Sequence, residues 1–213
     1  TDSVLLGAWC NCSQASSALD IGTGTGLIAL MLAQRNEQIR VTAIEPNERA
    51  YADALQNFKA SAWNERLNLE LCTLEDFKPD RKFDLIIANP PYFSNSLETP
   101  DADRTMARHI SNFNPKALVE SASLLNENGI IAGIYPVDTF AEFDSFAADA
   151  GLLPNKICSV RPTPEKPAHR ILFEYTFQES ESVLVEELII EQEGRHIYSK
   201  KYQELTRDFY LNF

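Results

Sequence analysis

The sequence predicts an α/β protein: a mostly parallel, seven-stranded sheet with an antiparallel edge and helices on both faces. Three observations carry that expectation. The strand-like segments are nearly all apolar, as in "LIIA" (Leu85–Ala88), which marks strands buried on both sides. Through the first two thirds of the chain they alternate with helical segments. In the last third, strand-like segments follow one another without helices between them, so they are expected to pair antiparallel.

Taken in order, Ser17–Ile21 reads as a strand, Leu27–Gln34 as a helix and Arg40–Ile44 as a strand. Asn47–Ser61 is helical with Asn47 as its N-cap, because a short side-chain oxygen there satisfies an unpaired backbone N–H. Leu67–Leu71 and Phe83–Ala88 are strands, Pro115–Leu125 a helix and Asn126–Gly129 a turn. Ile130–Tyr135 is a strand, and a helix from Thr139 to Ala150 ends at Gly151. Lys156–Val160, Arg170–Phe177 and Val183–Glu191 are strand-like, and a helix from Lys200 to Phe209 closes the chain. "SNSLETPDADRT" (Ser94–Thr105) and "RPTPEKP" (Arg161–Pro167) are exposed loops within one domain spanning residues 1–213. The chain opens at Thr1 without an initiator Met, so an N-terminal segment is expected to be missing.

Composition narrows the function classes. No apolar run approaches the ~18 residues of a membrane span. Nineteen Lys and Arg against thirty-one Asp and Glu give a net charge of −12. That disfavours a general nucleic-acid coat protein, whose affinity would rest on neutralising phosphates, but it leaves room for a local basic rim. Cys10, Cys12, Cys72 and Cys158 lack the paired spacing of zinc sites and read as reduced cytosolic thiols, so no metal is expected and the location is cytoplasmic.

The first strand runs into "LDIGTGTG" (Leu19–Gly26), which opens the first of the helices above. Gly22, Gly24 and Gly26, with Thr23 between the first two, let the backbone turn tightly and approach a ligand closely. The spacing is G-x-G-x-G behind Asp20, not the G-x-G-x-x-G of dinucleotide binders. Glu45 sits at the tip of the second strand, where an acid can hold two ribose hydroxyls. Glycines alone mark only a strand-to-helix turn. Together with Asp20 and Glu45 the segment resembles the class I S-adenosylmethionine-dependent methyltransferases, whose Rossmann-like fold matches the predicted architecture. The resemblance implies that Asp20 lies near the methionine ammonium, the glycines pass beneath the cofactor and Glu45 grips the ribose. After the third strand such enzymes usually place an acid on the adenine amino group. Here Thr73, with the Leu74 backbone, holds that register, and Asp76 is the alternative.

At the fourth strand's tip, "NPPY" (Asn89, Pro90, Pro91, Tyr92) follows the apolar run. As local structure it is a stiff strand-ending turn. Beside a cofactor turn it has a chemical use. A base's exocyclic amino group is a poor nucleophile, because its lone pair is delocalised into the ring. Asn89 Oδ1 and the Pro90 carbonyl, set on its two N–H bonds and facing the methyl donor, would aim that lone pair. Pro91 stiffens the turn and Tyr92 offers a stacking face, worth roughly 1–3 kcal/mol per base. Phe93 either extends this aromatic wall or packs into the core.

The motif resembles that of amino-methyltransferases acting on adenine N6, cytosine N4, guanine N2 or the glutamine amide of release factors. Which amino group is meant depends on other segments. "TDSVLLGAW" (Thr1–Trp9), "AHRILF" (Ala168–Phe173) and "YSKKYQELTRDFYL" (Tyr198–Leu211), with the two motifs above, resemble the bacterial tRNA1(Val) adenine(37)-N6-methyltransferases across essentially the whole chain. Such proteins typically read Thr-Asp-Gly where this chain has Thr1-Asp2-Ser3; Ser fits there if φ is negative. The resemblance implies S-adenosylmethionine as cofactor and tRNA as partner. A base in an anticodon loop is already outside a duplex and needs little unpairing.

Arg104, Arg108 and His109, with Arg161, Lys166, His169 and Arg170, lie on loops flanking the expected active edge. Each alone reads as a solvated surface residue; as a group they are expected to form a basic rim for tRNA. Three other readings compete. A release-factor glutamine N5-methyltransferase would share the motif but usually carries a further helical domain. A nicotinamide dehydrogenase is disfavoured by the glycine spacing, and a catalytically silent RNA-binding module by the acidic charge.

Overall fold

The computed structural model describes residues 1–90, 114–180, 182–192 and 194–211. The strands β1 (Ser17–Ile21), β2 (Arg40–Ile44), β3 (Leu67–Glu70), β4 (Phe83–Ala88), β5 (Leu125–Pro136), β6 (Leu153–Arg161), β7 (Arg170–Thr176) and β8 (Leu184–Ile189) form one sheet. Their order is β3-β2-β1-β4-β5-β7-β6-β8. The helices are α1 (Asp2–Trp9), α2 (Leu27–Arg35), α3 (Glu48–Ala60), α4 (Pro115–Glu120), α5 (Val137–Asp149) and α6 (Lys200–Thr206).

The sheet has eight strands rather than the expected seven, because all eight strand-like segments of the sequence pair. β1 to β5 run parallel, and β7 is antiparallel to both its neighbours, β5 and β6. One expectation is corrected here. β8 does not extend an antiparallel run; it pairs parallel to β6. β7 already has a partner on each side, so the free edge at this end of the sheet belongs to β6. β8 still runs opposite to the strand before it, as a short connection requires, but one place further out.

Two buried clusters lie on the two faces of the sheet. Leu85 and Ile87 of β4 point into one, with Leu5, Leu6 and Trp9 of α1, Leu32 of α2, Phe58 of α3 and Tyr202 of α6. Ile86 and Ala88 point into the other, with Leu118 of α4 and Phe143 of α5. A parallel strand apolar at consecutive positions needs cover on both sides, and these helices supply it. Asn47 caps α3 as expected, its side chain accepting from the Ala50 N–H at 2.9 Å.

Helix α1 was not anticipated as an element; "TDSVLLGAW" carries weak periodicity, and its helicity follows from burial of Leu5 through Trp9. Ser3 lies within it, and among the described residues His196 alone combines a side chain with positive φ, so the condition for serine at this position is met. The expected turn at Asn126–Gly129 is instead part of the twelve-residue β5, where the register against β4 shifts between Phe83 and Leu85. A Cβ at Gly129 would stand 2.9 Å from the Phe83 carbonyl oxygen, so the irregular backbone packs closely on β4 and continues as strand.

Asp84 fastens three strands at the sheet end away from the β4 tip. Its Oδ2 accepts from the Ser16 hydroxyl at 2.7 Å and the Ser17 hydroxyl at 3.1 Å, and its Oδ1 from Asn126 Nδ2 at 2.6 Å. Partial burial alone would raise its pKa, but the bonds from Ser16, Asn126 and Ser17 outweigh burial and bring it from 3.8 to about 2. A depressed carboxylate contributes stability above its unfolded pKa and loses it as pH falls through the folded one. Thermal melts should therefore show the unfolding midpoint of Asp84→Ala lying below that of the parent at pH 6. The stability difference behind that gap, about 1–3 kcal/mol, should close as the pH approaches 2.

Candidate active site

The strand order turns back at β1, with β2 and β3 to one side and β4 and β5 to the other. The crevice beyond the carboxyl ends of β1 and β4 is where such sheets bind ligands. Every residue assigned to the cofactor turn lies there.

The turn after β1 is tied to the tip of β2: the Ile44 carbonyl accepts from Gly22 N–H at 2.9 Å and Thr23 N–H at 3.1 Å. Gly22 and Gly24 have φ of 66° and 59°, and a Cβ built on either meets no atom within 4 Å. The space beside the turn at these two glycines is therefore open. Glu45 is 7% exposed. Its Oε2 accepts from Gly24 N–H at 2.8 Å and its Oε1 from Asn47 N–H at 2.9 Å, so the second strand's acid and the glycine turn form one unit.

Asp20 is completely buried. Its Oδ2 accepts from the Thr23 hydroxyl at 2.5 Å and from Ala29 N–H, in the first turns of α2, at 3.2 Å. Its Oδ1 has no hydrogen-bond partner among the described residues. Burial raises its pKa from 3.8 to about 7; the bonds from Thr23 and Ala29 oppose the shift and nearby Glu45 adds to it. A buried carboxyl oxygen left without a donor is costly, and a cationic ligand group would relieve it. The residues present thus fit a ligand that carries an ammonium and a ribose.

At the tip of β4, directly after Ala88, the Asn89 amide nitrogen donates to the Ser3 hydroxyl at 2.8 Å. Ala88 pairs with Ile21, so Asn89 stands beside the strand that leads into the glycine turn. Pro90 is buried. The glycine turn and an amide-bearing strand tip are thereby neighbours.

A family profile, the methyltransferase small domain, matches residues 3–131. A curated relative from Flavobacterium johnsoniae, named tRNA1(Val) (adenine(37)-N6)-methyltransferase, is 42% identical over 99% of this chain and 91% of its own length. One of the same name from Vibrio campbellii is 38% identical over 99% of this chain and 87% of its own. The chain belongs to the tRNA1(Val) (adenine(37)-N6)-methyltransferase family.

Solved structures agree on the fold. One titled a predicted O-methyltransferase from Agrobacterium tumefaciens superposes with a TM-score of 0.75 over 97% of this chain and 96% of that one, at 21% identity. A ribosomal protein L11 methylase from Lactobacillus delbrueckii gives 0.59 over 83% and 78%, at 18% identity. At such identities the likeness concerns architecture alone.

For this member of the tRNA1(Val) (adenine(37)-N6)-methyltransferase family, the remaining assigned residues fall as follows. Thr73 and Asp76, the alternatives for an adenine contact, share one turn beyond β3: the Thr73 hydroxyl donates to Asp76 Oδ2 at 2.8 Å, and Asp76 N–H donates to Thr73 Oγ1 at 3.2 Å. Leu74 packs its side chain on the core cluster that holds Phe83 and Phe143. Arg161 donates through Nε to the Lys166 carbonyl at 2.8 Å and also to the Pro164 carbonyl, holding the Pro-rich loop. Arg170 Nε donates to Asp2 Oδ2 at 2.8 Å, in a pair with each side chain 25% exposed. Both arginines stand at the end of the sheet that carries the β4 tip, and both already have intramolecular work. Pro91, Tyr92, Phe93, Arg104, Arg108 and His109 lie outside the described residues.

Ser3 and Asp2 were not singled out from the sequence as site residues. Ser3 carries no local signal of such a role; only helix α1 brings it to Asn89.

Proposed function

We propose that this chain methylates the exocyclic N6 of an adenine in a tRNA anticodon loop, adenine 37 of tRNA1(Val), using S-adenosylmethionine. The observation that carries the cofactor half is the buried Asp20 Oδ1 without a donor, beside a glycine turn open to a ligand. The family's naming supports the substrate half, and disfavours the release-factor glutamine reading.

S-adenosylmethionine supplies an electrophilic methyl group when bound. Asp20 meets its ammonium, Glu45 takes the ribose hydroxyls, and Gly22 to Gly26 lie under it. The Thr73–Asp76 turn, with the Leu74 backbone, borders the adenine. Asn89 Oδ1 and the Pro90 carbonyl accept the two N–H bonds of the target amino group, which aims the nitrogen lone pair. Tyr92 stacks on the base, with Pro91 holding the turn and Phe93 extending the wall. Arg104 and Arg108 meet the tRNA backbone, with Arg161 and Arg170 shaping the same rim. Positioning of this kind can supply roughly 7–11 kcal/mol of a barrier, so no strong base is required. The proton leaves after the nitrogen has become cationic.

The test is direct. An unmodified tRNA1(Val) transcript incubated with the protein and isotopically labelled cofactor should yield N6-methyladenosine at position 37 by nucleoside mass spectrometry. Label found only in a release factor, or in no tRNA nucleoside, overturns the reading.

A further inference from the structure

We infer that Ser3 is a positioning residue for methyl transfer, its hydroxyl tethering the Asn89 amide so that the amide oxygen is held toward the substrate. This rests on the role proposed above for Asn89. The contact is the 2.8 Å bond from Asn89 Nδ2 to Ser3 Oγ, joining residues 86 apart in sequence.

An asparagine at the end of a strand has two soft side-chain torsions, and its amide is nearly symmetric in shape. Turned end for end, it would present N–H groups to an amino group that also donates, and the acceptor would be lost. With the nitrogen on Ser3, the oxygen occupies the other arm of the planar amide, turned away from Ser3. A tether matters only if its other end is fixed, and here it is. Ser3 lies in the first turn of α1, whose Leu5, Leu6 and Trp9 are buried against the sheet. The preceding Asp2 is paired at 2.8 Å with Arg170 at the start of β7. The hydroxyl is therefore mounted on a packed helix pinned at a second strand tip.

The experiment measures single-turnover methylation for the parent, Ser3→Ala, Ser3→Thr, Asn89→Ala and the Ser3→Ala/Asn89→Ala double variant. Ser3→Ala should lower the rate roughly three- to tenfold, the size of one neutral hydrogen bond, with KM for tRNA and Kd for S-adenosylhomocysteine unchanged. Ser3→Thr, which keeps the hydroxyl, should recover most of the rate. In the Asn89→Ala background, Ser3→Ala should have no further effect, because the group it positions is gone. A full-rate Ser3→Ala overturns the inference, and so does an additive double variant. If Ser3→Ala also lowers the unfolding midpoint, the threonine variant and the double variant still separate a tether from general loosening. Wild-type activity in Asn89→Ala would instead refute the role of Asn89 itself, a different failure from this one.

Discussion

Asn89→Ala should lower the methyl-transfer rate by about tenfold or more while binding S-adenosylhomocysteine as tightly as the parent. The asymmetry follows from geometry. The cofactor is expected to be gripped by Asp20, Glu45 and the glycine turn, all on the β1 and β2 side, whereas Asn89 projects from β4. Truncating it removes an acceptor that holds the target amino group as its nitrogen becomes cationic. An interaction strengthened in the transition state shows in kcat and little in binding. Isothermal titration and single-turnover kinetics on one preparation check both halves. Weakened cofactor binding with an unchanged rate would move Asn89 from the acceptor side of the reaction to the donor side.

The second large effect concerns pH. Burial lifts Asp20 to about 7 in the ligand-free protein, so below that pH it is mostly neutral and cannot pair with an ammonium. Cofactor binding must then expel a proton. S-adenosylhomocysteine affinity is expected to fall as pH drops from 8 to 5.5, approaching about tenfold per unit below 7, with proton release visible as a buffer-dependent heat. Asp20→Asn should bind weakly with little pH dependence. The same shift acts oppositely on the empty protein. A raised folded pKa contributes stability below the unfolded value of 3.8 and loses it as pH rises through about 7. Ligand-free Asp20→Asn should accordingly melt higher than the parent at pH 8, even though it binds less. A pH-independent parent affinity would count against a buried, proton-coupled Asp20.

Asp20, Glu45 and Asn89 were legible in the sequence because each sits at the end of an apolar strand, and strand ends are fixed by hydrophobic pattern. The parallel order was legible for the same reason. What stayed hidden depended on contacts distant along the chain. α1 has little helical signal of its own and forms by packing on α2 and the sheet, so the approach of Ser3 to Asn89 had no local trace. The partner of β8 was misjudged because chain direction is a local matter, while the choice of edge depends on β7 entering between two earlier strands. The Asn126–Gly129 segment has turn chemistry, and close packing against β4 overrides it.

The place of β7 also has a temporal consequence. The strand that joins β5 to β6 is made after both, and the family profile, ending at residue 131, stops short of all three joints on that side. A nascent chain emerging from the ribosome carries Asp20, Glu45 and Asn89 long before β6 to β8 can dock. Until Arg170–Thr176 arrives, one flank of β5 lies bare, and its ladder groups remain open to neighbouring polypeptides. Completion of the sheet must wait for β8, the last of its strands in chain order.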